Sequence, residues 1–323
     1  MGINFLCDDR SHCPSVRLKS VDALLAGLVD YAGLFPPASE DMRRALESYA
    51  SYFQGADRTA LGRFIVPISR VKELEEAGGD LMPRGSGSQQ WRLSVLVAED
   101  VRAAGDEMLK FNCRHSSDSK DGHAVIDVVE LKASTPDEVG HQRQDLPPAF
   151  TAYFEIPITG DVSPLVKAIA KAGARAKVRT GGVTPEAFPP AEAIIGFIAA
   201  CQREAVPFKA TAGLHHPIRG EYHLTYEPDG PKGMMYGFLN VFLAAELLYA
   251  GEGEDMALAA LEESDLSAFE FADDAIQWRG KRIGAEQILA SRSNFAISFG
   301  SCSFREPVEE LARLTSKTRS TDQ

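Results

Sequence analysis

The chain has 323 residues, of which 44% are hydrophobic and 25% charged, and a formal net charge of -12. That composition is ordinary for a globular protein with a sizeable core, and the length exceeds the ~250 residues of one (β/α)8 barrel by a modest extension. The acidic balance argues against nucleic acid, whose phosphates need a basic face, but it allows a small anion held by a few converging basic side chains.

Residues 1–19 are polar and read as loose. Helical patterns follow at 21–29 and, from Ser39 as N-cap with Glu40 and Asp41 behind it, on to residue 53. The Pro-rich segment between them, 30–39 (DYAGLFPPAS), reads as a lid over a barrel mouth or as a plug against the barrel bottom, the plug being preferred. From residue 63 onward short apolar runs alternate with helical stretches. Strands are expected at 63–69, 91–98, 124–133, 150–158, 174–182, 207–214, 269–271 and 295–300, with helices between them and a closing helix after Pro307. The 269–271 run is the weakest of these, and Trp278 with Arg279 reads as part of a small hairpin. Such alternation implies a parallel sheet, and eight repeats fit a closed barrel better than an open sheet. The expected fold is α/β, a (β/α)8 TIM-type barrel at 61–316, with an N-terminal helical extension at 1–60 and a loose tail at 317–323.

The longest apolar stretch, 237–250, contains Asn240 and Glu246 and is too short to span a bilayer, so no membrane partner is expected. The N-terminus lacks the apolar core of a secretory signal. The five cysteines, Cys7, Cys13, Cys113, Cys201 and Cys302, show no CxxC spacing, which suits free thiols in a reducing, cytoplasmic setting. A homo-oligomer stays open.

Residues i and i+2 of a strand share a face, and that rule sorts the charges. Glu130 and Lys132, then Glu155 with Tyr153, then Arg175, Lys177 and Arg179, then Lys209 with Thr211, each oppose a face of small or apolar residues. In a barrel the apolar faces pack on outer helices, and the charged faces meet in the lumen near the C-terminal mouth. A structural ion-pair plug is one reading; an active site is the other, and it is preferred because barrel interiors are mostly apolar. Lys177 and Lys209, on neighbouring strands, are expected to repel and so to lower the pKa of one, making an amine nucleophile. Glu130 or Glu155 then serves as general acid or base, and Arg179 holds a carboxylate or phosphate.

Two strand motifs carry a resemblance. FKATAGL (208–214) resembles the sixth-strand Lys-Thr-Ser-Thr-Gly motif of the deoxyribose-phosphate aldolase family, whose lysine forms a Schiff base, and AKVRTGG (176–182) resembles its Lys-x-Ser-Gly-Gly strand. Their order along this chain is reversed. The resemblance covers these two heptapeptides and implies a class I aldolase-type barrel, with Lys209 as Schiff-base lysine, Lys177 as its partner, and Gly181 and Gly182 beside the substrate.

Beyond the strands, His215 continues the parity of Lys209 and Thr211 and is expected to enter the site as a proton shuttle, while its neighbour His216 points the other way. His216 and Arg219 remain candidates for binding substrate. Gly300, Ser301 and Ser303 lie where barrels often bind anions, although Ser303 also suits a helix cap. Cys302 is a candidate nucleophile, but nothing in the sequence places a histidine beside it, and packing or simple proximity to the site is the preferred reading.

The leading expectation is therefore a lyase acting on a small oxo-acid or sugar phosphate, with no cofactor. One alternative is a metal enzyme holding Mg or Mn through Glu130, Glu155 and His215. Others are a transferase for phosphate substrates and a binding barrel without turnover.

Overall fold

The structure is a computed structural model that describes residues 17–85, 87–116 and 119–319. Cys7, Cys13, nearly all of the segment expected to be loose at the N-terminus, and residues 320–323 lie outside the described residues. Eight parallel strands close into a barrel: β1 (Val29–Tyr31), β2 (Leu61–Pro67), β3 (Trp91–Leu96), β4 (Ala124–Lys132), β5 (Thr151–Glu155), β6 (Arg175–Arg179), β7 (Phe208–Thr211) and β8 (Ala296–Ser301). Each pairs with its successor in the chain, and β8 returns to pair with β1. Helices surround the barrel, so the fold is the expected (β/α)8 type. Alternation explains the layering: Ala176 and Val178 of β6 are fully buried beneath the outer helices, while Lys177 between them faces the lumen.

Two strands differ from expectation. The first barrel strand is Val29–Tyr31, within the stretch expected to be helix end and connector, so the barrel begins well before residue 61. Three residues, all buried, are too few to show a period. The run Phe269–Ala272 is a strand, but it pairs antiparallel with Ala275–Trp278, which pairs with Lys281–Gly284, outside the barrel. Every strand from residue 61 to Thr211 therefore counts one higher, which puts Lys177 on β6 and Lys209 on β7.

The helix between β1 and β2, Met42–Gln54, is capped by Asp41, which accepts from the Arg44 N–H at 2.9 Å. Ser39 has φ of +45° and is not the cap. The closing helix, Arg305–Arg319, extends beyond the point where a loose tail was expected.

Helix Phe238–Tyr249 is buried all round from Phe238 to Leu248, which explains its uniformly apolar sequence. Among the described residues no helix is long and apolar enough to cross a membrane. Its two polar residues behave differently. Asn240 accepts from the Arg219 N–H at 2.8 Å and donates to the carbonyls of Ala260 and Glu263 at 2.8 and 2.9 Å. Glu246 lies among Leu24, Phe242, Ile276 and Ile288, with Oε2 lacking a hydrogen-bond partner. Burial pushes its carboxyl up to about 7, against a weaker opposing pull from the Ser291 hydroxyl.

Candidate functional site

The expected ionic cluster exists and has a layered geometry. Lys177 and Lys209 are register partners on β6 and β7. Glu130 of β4 lies between them, with Oε2 at 2.7 Å from the Lys177 ammonium and Oε1 at 2.8 Å from that of Lys209. Lys209 also meets Asp30 of β1 at 2.5 Å, and Lys177 meets Glu155 of β5 at 2.7 Å. Arg179, half exposed at the end of β6, completes the row at 3.2 Å from Glu155. Two strand serines finish the carboxylate coordination: Ser94 donates to Glu130 at 2.6 Å and Ser298 to Asp30 at 2.8 Å. Arg63 N–H donates to the other Asp30 oxygen at 2.7 Å. Gly62 makes room for this carboxylate, since a Cβ there would sit 2.3 Å from Asp30 Oδ1.

This arrangement corrects the expected electrostatics. The two ammonium groups are not left to face each other, because Glu130 lies between them and each has a second carboxylate partner. Burial alone would drive Lys209 toward its neutral form, but Asp30 and Glu130 outweigh it and hold the ammonium well above the ordinary lysine range. Burial would likewise raise Glu130, yet Lys177 and Lys209 keep it well below the usual carboxylate range. Glu155 is lowered as well, its burial outweighed by Lys177 and Arg179.

Above this layer, at the C-terminal mouth, lies a cavity of about 330 Å³. Lys177, Arg179 and Glu130 form part of one wall; Thr211, Gly300, His215 and Cys302 also line it. Lys209, 1% exposed, lies beneath and does not line it. The 30–39 segment enters here: Ala32, Phe35, Pro36 and Pro37 roof the cavity, so the segment is a lid and not the preferred plug. The mouth is where a barrel places its reactive groups, because the loops there are free to vary while the strands below stay rigid.

The remaining candidates divide. Gly182 lines the cavity, while Gly181 is pressed against Phe188, where an added Cβ would approach to 2.4 Å. Lys132 is exposed at the end of β4, opposite Glu155 in register. The adjacent histidines point apart as expected. His215 turns to the cavity, whereas His216 stacks on Tyr222 at 3.6 Å and pairs with Glu310 at 2.8 Å. Arg219 lies on the far side, beside Ser264 and Glu310, and does not line the cavity. Ser303 accepts from the Glu306 N–H at 3.2 Å, which makes it a local cap, and Ser301 accepts from Ser303 N–H at 3.3 Å.

Sequence reasoning missed Asp30, Ser94, Ser298 and the partners of Cys302. His215 Nε2 is 4.0 Å from Cys302 Sγ, so a histidine is in fact adjacent to that thiol. On its other side His215 Nδ1 meets Glu306 at 3.0 Å. Burial would lower the imidazole, but hydrogen bonds to Cys302 and Glu306 raise it to about 9.

Among the described residues no group of three His, Cys, Asp or Glu side chains converges as metal ligands do. Glu130 and Glu155 direct their oxygens to Lys177, Lys209, Arg179 and Ser94 instead, so the set Glu130, Glu155 and His215 is not assembled around a cation.

No protein-family model and no curated protein sequence matches the chain. Among solved structures, a nitroalkane oxidase from Streptomyces ansochromogenes aligns over 94% of this chain and 100% of its own, at 12% identity and a TM-score of 0.33. A superposition that loose carries no argument about function.

Proposed function

We propose that the protein is an aldolase-type lyase that condenses Lys177 with the carbonyl of a small anionic substrate, an oxo-acid or a sugar phosphate. One observation carries the reading: of the two paired lysines, Lys177 lines the cavity and has Glu155 at 2.7 Å to take its proton, while Lys209 is sealed beneath. This reverses the roles expected from sequence. By strand number the sixth strand now carries Lys177, although the motif resembling the Schiff-base strand of the aldolases stays with Lys209 on the seventh.

In this reading Glu155 accepts a proton from the Lys177 ammonium, and the freed amine attacks the substrate carbonyl carbon. The resulting hydroxyl leaves as water, taking the proton back from Glu155, and an iminium remains. The bond between the carbon next to the iminium carbon and the hydroxyl-bearing carbon beyond it then breaks and its electrons form an enamine, while a base removes the hydroxyl proton of the departing aldehyde. His215, which lines the same cavity, is the base for that transfer once it has lost its own proton. Protonation of the enamine carbon and hydrolysis return the free amine. Arg179 holds the substrate anion, and the layer of Asp30, Lys209 and Glu130 fixes the floor on which Lys177 stands.

Borohydride reduction with a panel of aldehydes and oxo-acids, followed by peptide mapping, tests this. An adduct is expected on the Lys177 peptide and is lost in Lys177→Met. Glu155→Gln is expected to slow turnover of an active substrate about 10²- to 10⁴-fold. If no member of the panel is trapped, or if trapping survives in Lys177→Met, the proposal fails.

A further inference from the structure

The cavity that Lys177 lines carries a second set of reactive groups that the lyase reading uses only in part. Cys302, His215 and Glu306 stand in line: thiol to imidazole Nε2 at 4.0 Å, imidazole Nδ1 to carboxylate at 3.0 Å. Tyr226 braces both ends, donating to Glu306 at 3.1 Å and lying 3.7 Å from the Cys302 sulfur. A nucleophile, a base and a group that orients the base is the arrangement needed for covalent acyl transfer, and the thiol–imidazole distance in an unliganded site is commonly longer than in the working complex. Cys302 is not a buried structural thiol of the Cys201 kind, since both its sulfur's partner and the residue itself line the cavity.

We infer that Cys302 is a second nucleophile of this cavity, and that the substrate is a small 1,3-dicarbonyl acid split by hydrolysis, one carbonyl meeting Lys177 and the other Cys302. This rests on the lyase reading for the role of Lys177. The cavity, at about 330 Å³, sits at the small end of ligand pockets, and Lys177 and Cys302 both line it, which suits one short molecule with two electrophilic carbons.

The chemistry balances without oxidant or cofactor. The thiolate attacks the carbonyl carbon nearer to it while the paired proton resides on His215. The bond between that carbon and the central carbon breaks, leaving an acyl thioester on Cys302. The electron pair passes into the Lys177 iminium as an enamine, whose terminal carbon takes a proton from His215. Water, deprotonated by His215, then attacks the thioester, releases a carboxylic acid and restores the thiol. Hydrolysis of the remaining imine frees the ketone. The sum is one diketone and one water giving one acid and one ketone. Glu306 keeps the imidazole oriented and favours its protonated form, in line with its elevated pKa of about 9.

The test uses 2,4-dioxopentanoate as the diketone and iodoacetamide as a thiol probe, both on the full chain. Iodoacetamide is expected to alkylate Cys302 at least about tenfold faster than in His215→Ala, with Glu306→Gln between the two. With the diketone, acid quenching is expected to reveal an acetyl group on the Cys302 peptide and acetate in solution. Cys302→Ala and Cys302→Ser lose both, yet still give the borohydride adduct on Lys177. An alkylation rate indifferent to His215 overturns the nucleophile, and absence of acetyl on Cys302 overturns the substrate assignment. Failure of the lyase reading looks different: no Lys177 adduct forms, whatever happens at the thiol.

Discussion

Lys209 is the residue on which the interior depends most. Its ammonium sits between Asp30 and Glu130 and 5.6 Å from the Tyr153 ring centroid, with 1% of its surface exposed. Truncation in Lys209→Met removes the cation that Asp30 and Glu130 share, and breaking such a buried pair costs about 3–5 kcal/mol. Urea denaturation is expected to read a loss of that size, and a loss under about 1 kcal/mol contradicts the sealed ion layer described above. Lys177→Met costs less, because Glu130 retains Lys209, Glu155 retains Arg179, and Glu130 and Arg179 border a cavity that water can enter. The five members Glu130, Glu155, Lys177, Arg179 and Lys209 were readable in the sequence because each sits on a strand long enough to alternate. Asp30 was not, since its strand is three residues long and offers no parity. Ser94 and Ser298 left a fainter mark: hydroxyls with apolar neighbours on either side, in LSVL (93–96) and AISF (296–299), on the face that looks inward.

At the scale of elements, Asn240 joins the all-apolar helix Phe238–Tyr249 to its surroundings. Its side chain answers one backbone N–H before the helix and two carbonyls after it. Asn240→Leu removes all three partners from buried positions, at about 1–3 kcal/mol for each group left unpaired. A midpoint shift equivalent to less than 1 kcal/mol in chemical denaturation refutes that role. An Asn inside an apolar run is visible in sequence, but its three partners are not, because they come from segments 20 to 23 residues away on either side. The misplacement of Phe269–Ala272 has a similar origin. An amphipathic strand looks alike in a barrel and in a meander, and what separates them is the turn. Arg279 and Gly280 have φ of +48° and +78°, the double left-handed turn that joins antiparallel strands tightly and leaves no length for a crossover helix. The histidine pair shows the opposite case, since simple alternation was enough to send His215 inward and His216 outward.

For the molecule as a whole, stability is set against pH by carboxyls shifted in opposite directions. Glu130, Glu155 and Glu306 are lowered on folding, so their contribution is present above the ordinary carboxylate range and is lost as pH falls through their folded values. Glu246 works the other way. Its folded pKa of about 7 lies above the ordinary 4.5, so the folded chain binds its proton more tightly, and that stabilisation is lost as pH rises from 4.5 through about 7. Glu246→Gln is expected to be more stable than the parent at pH 8 by up to about 3 kcal/mol, and indistinguishable from it near pH 5. Equal denaturation midpoints at both pH values contradict this. The contacts of Asp30 have a further consequence, for assembly. They run to Lys209 and Ser298, which lie 179 and 268 residues further along the chain. As the polypeptide leaves the ribosome, strands two to seven are synthesised long before the eighth arrives to seal the cylinder against the first. Until that seam closes, Glu130 and both lysines face an open sheet and keep their water. The ion layer is therefore complete only once that last strand has docked, a long-range closure of the kind that slows folding.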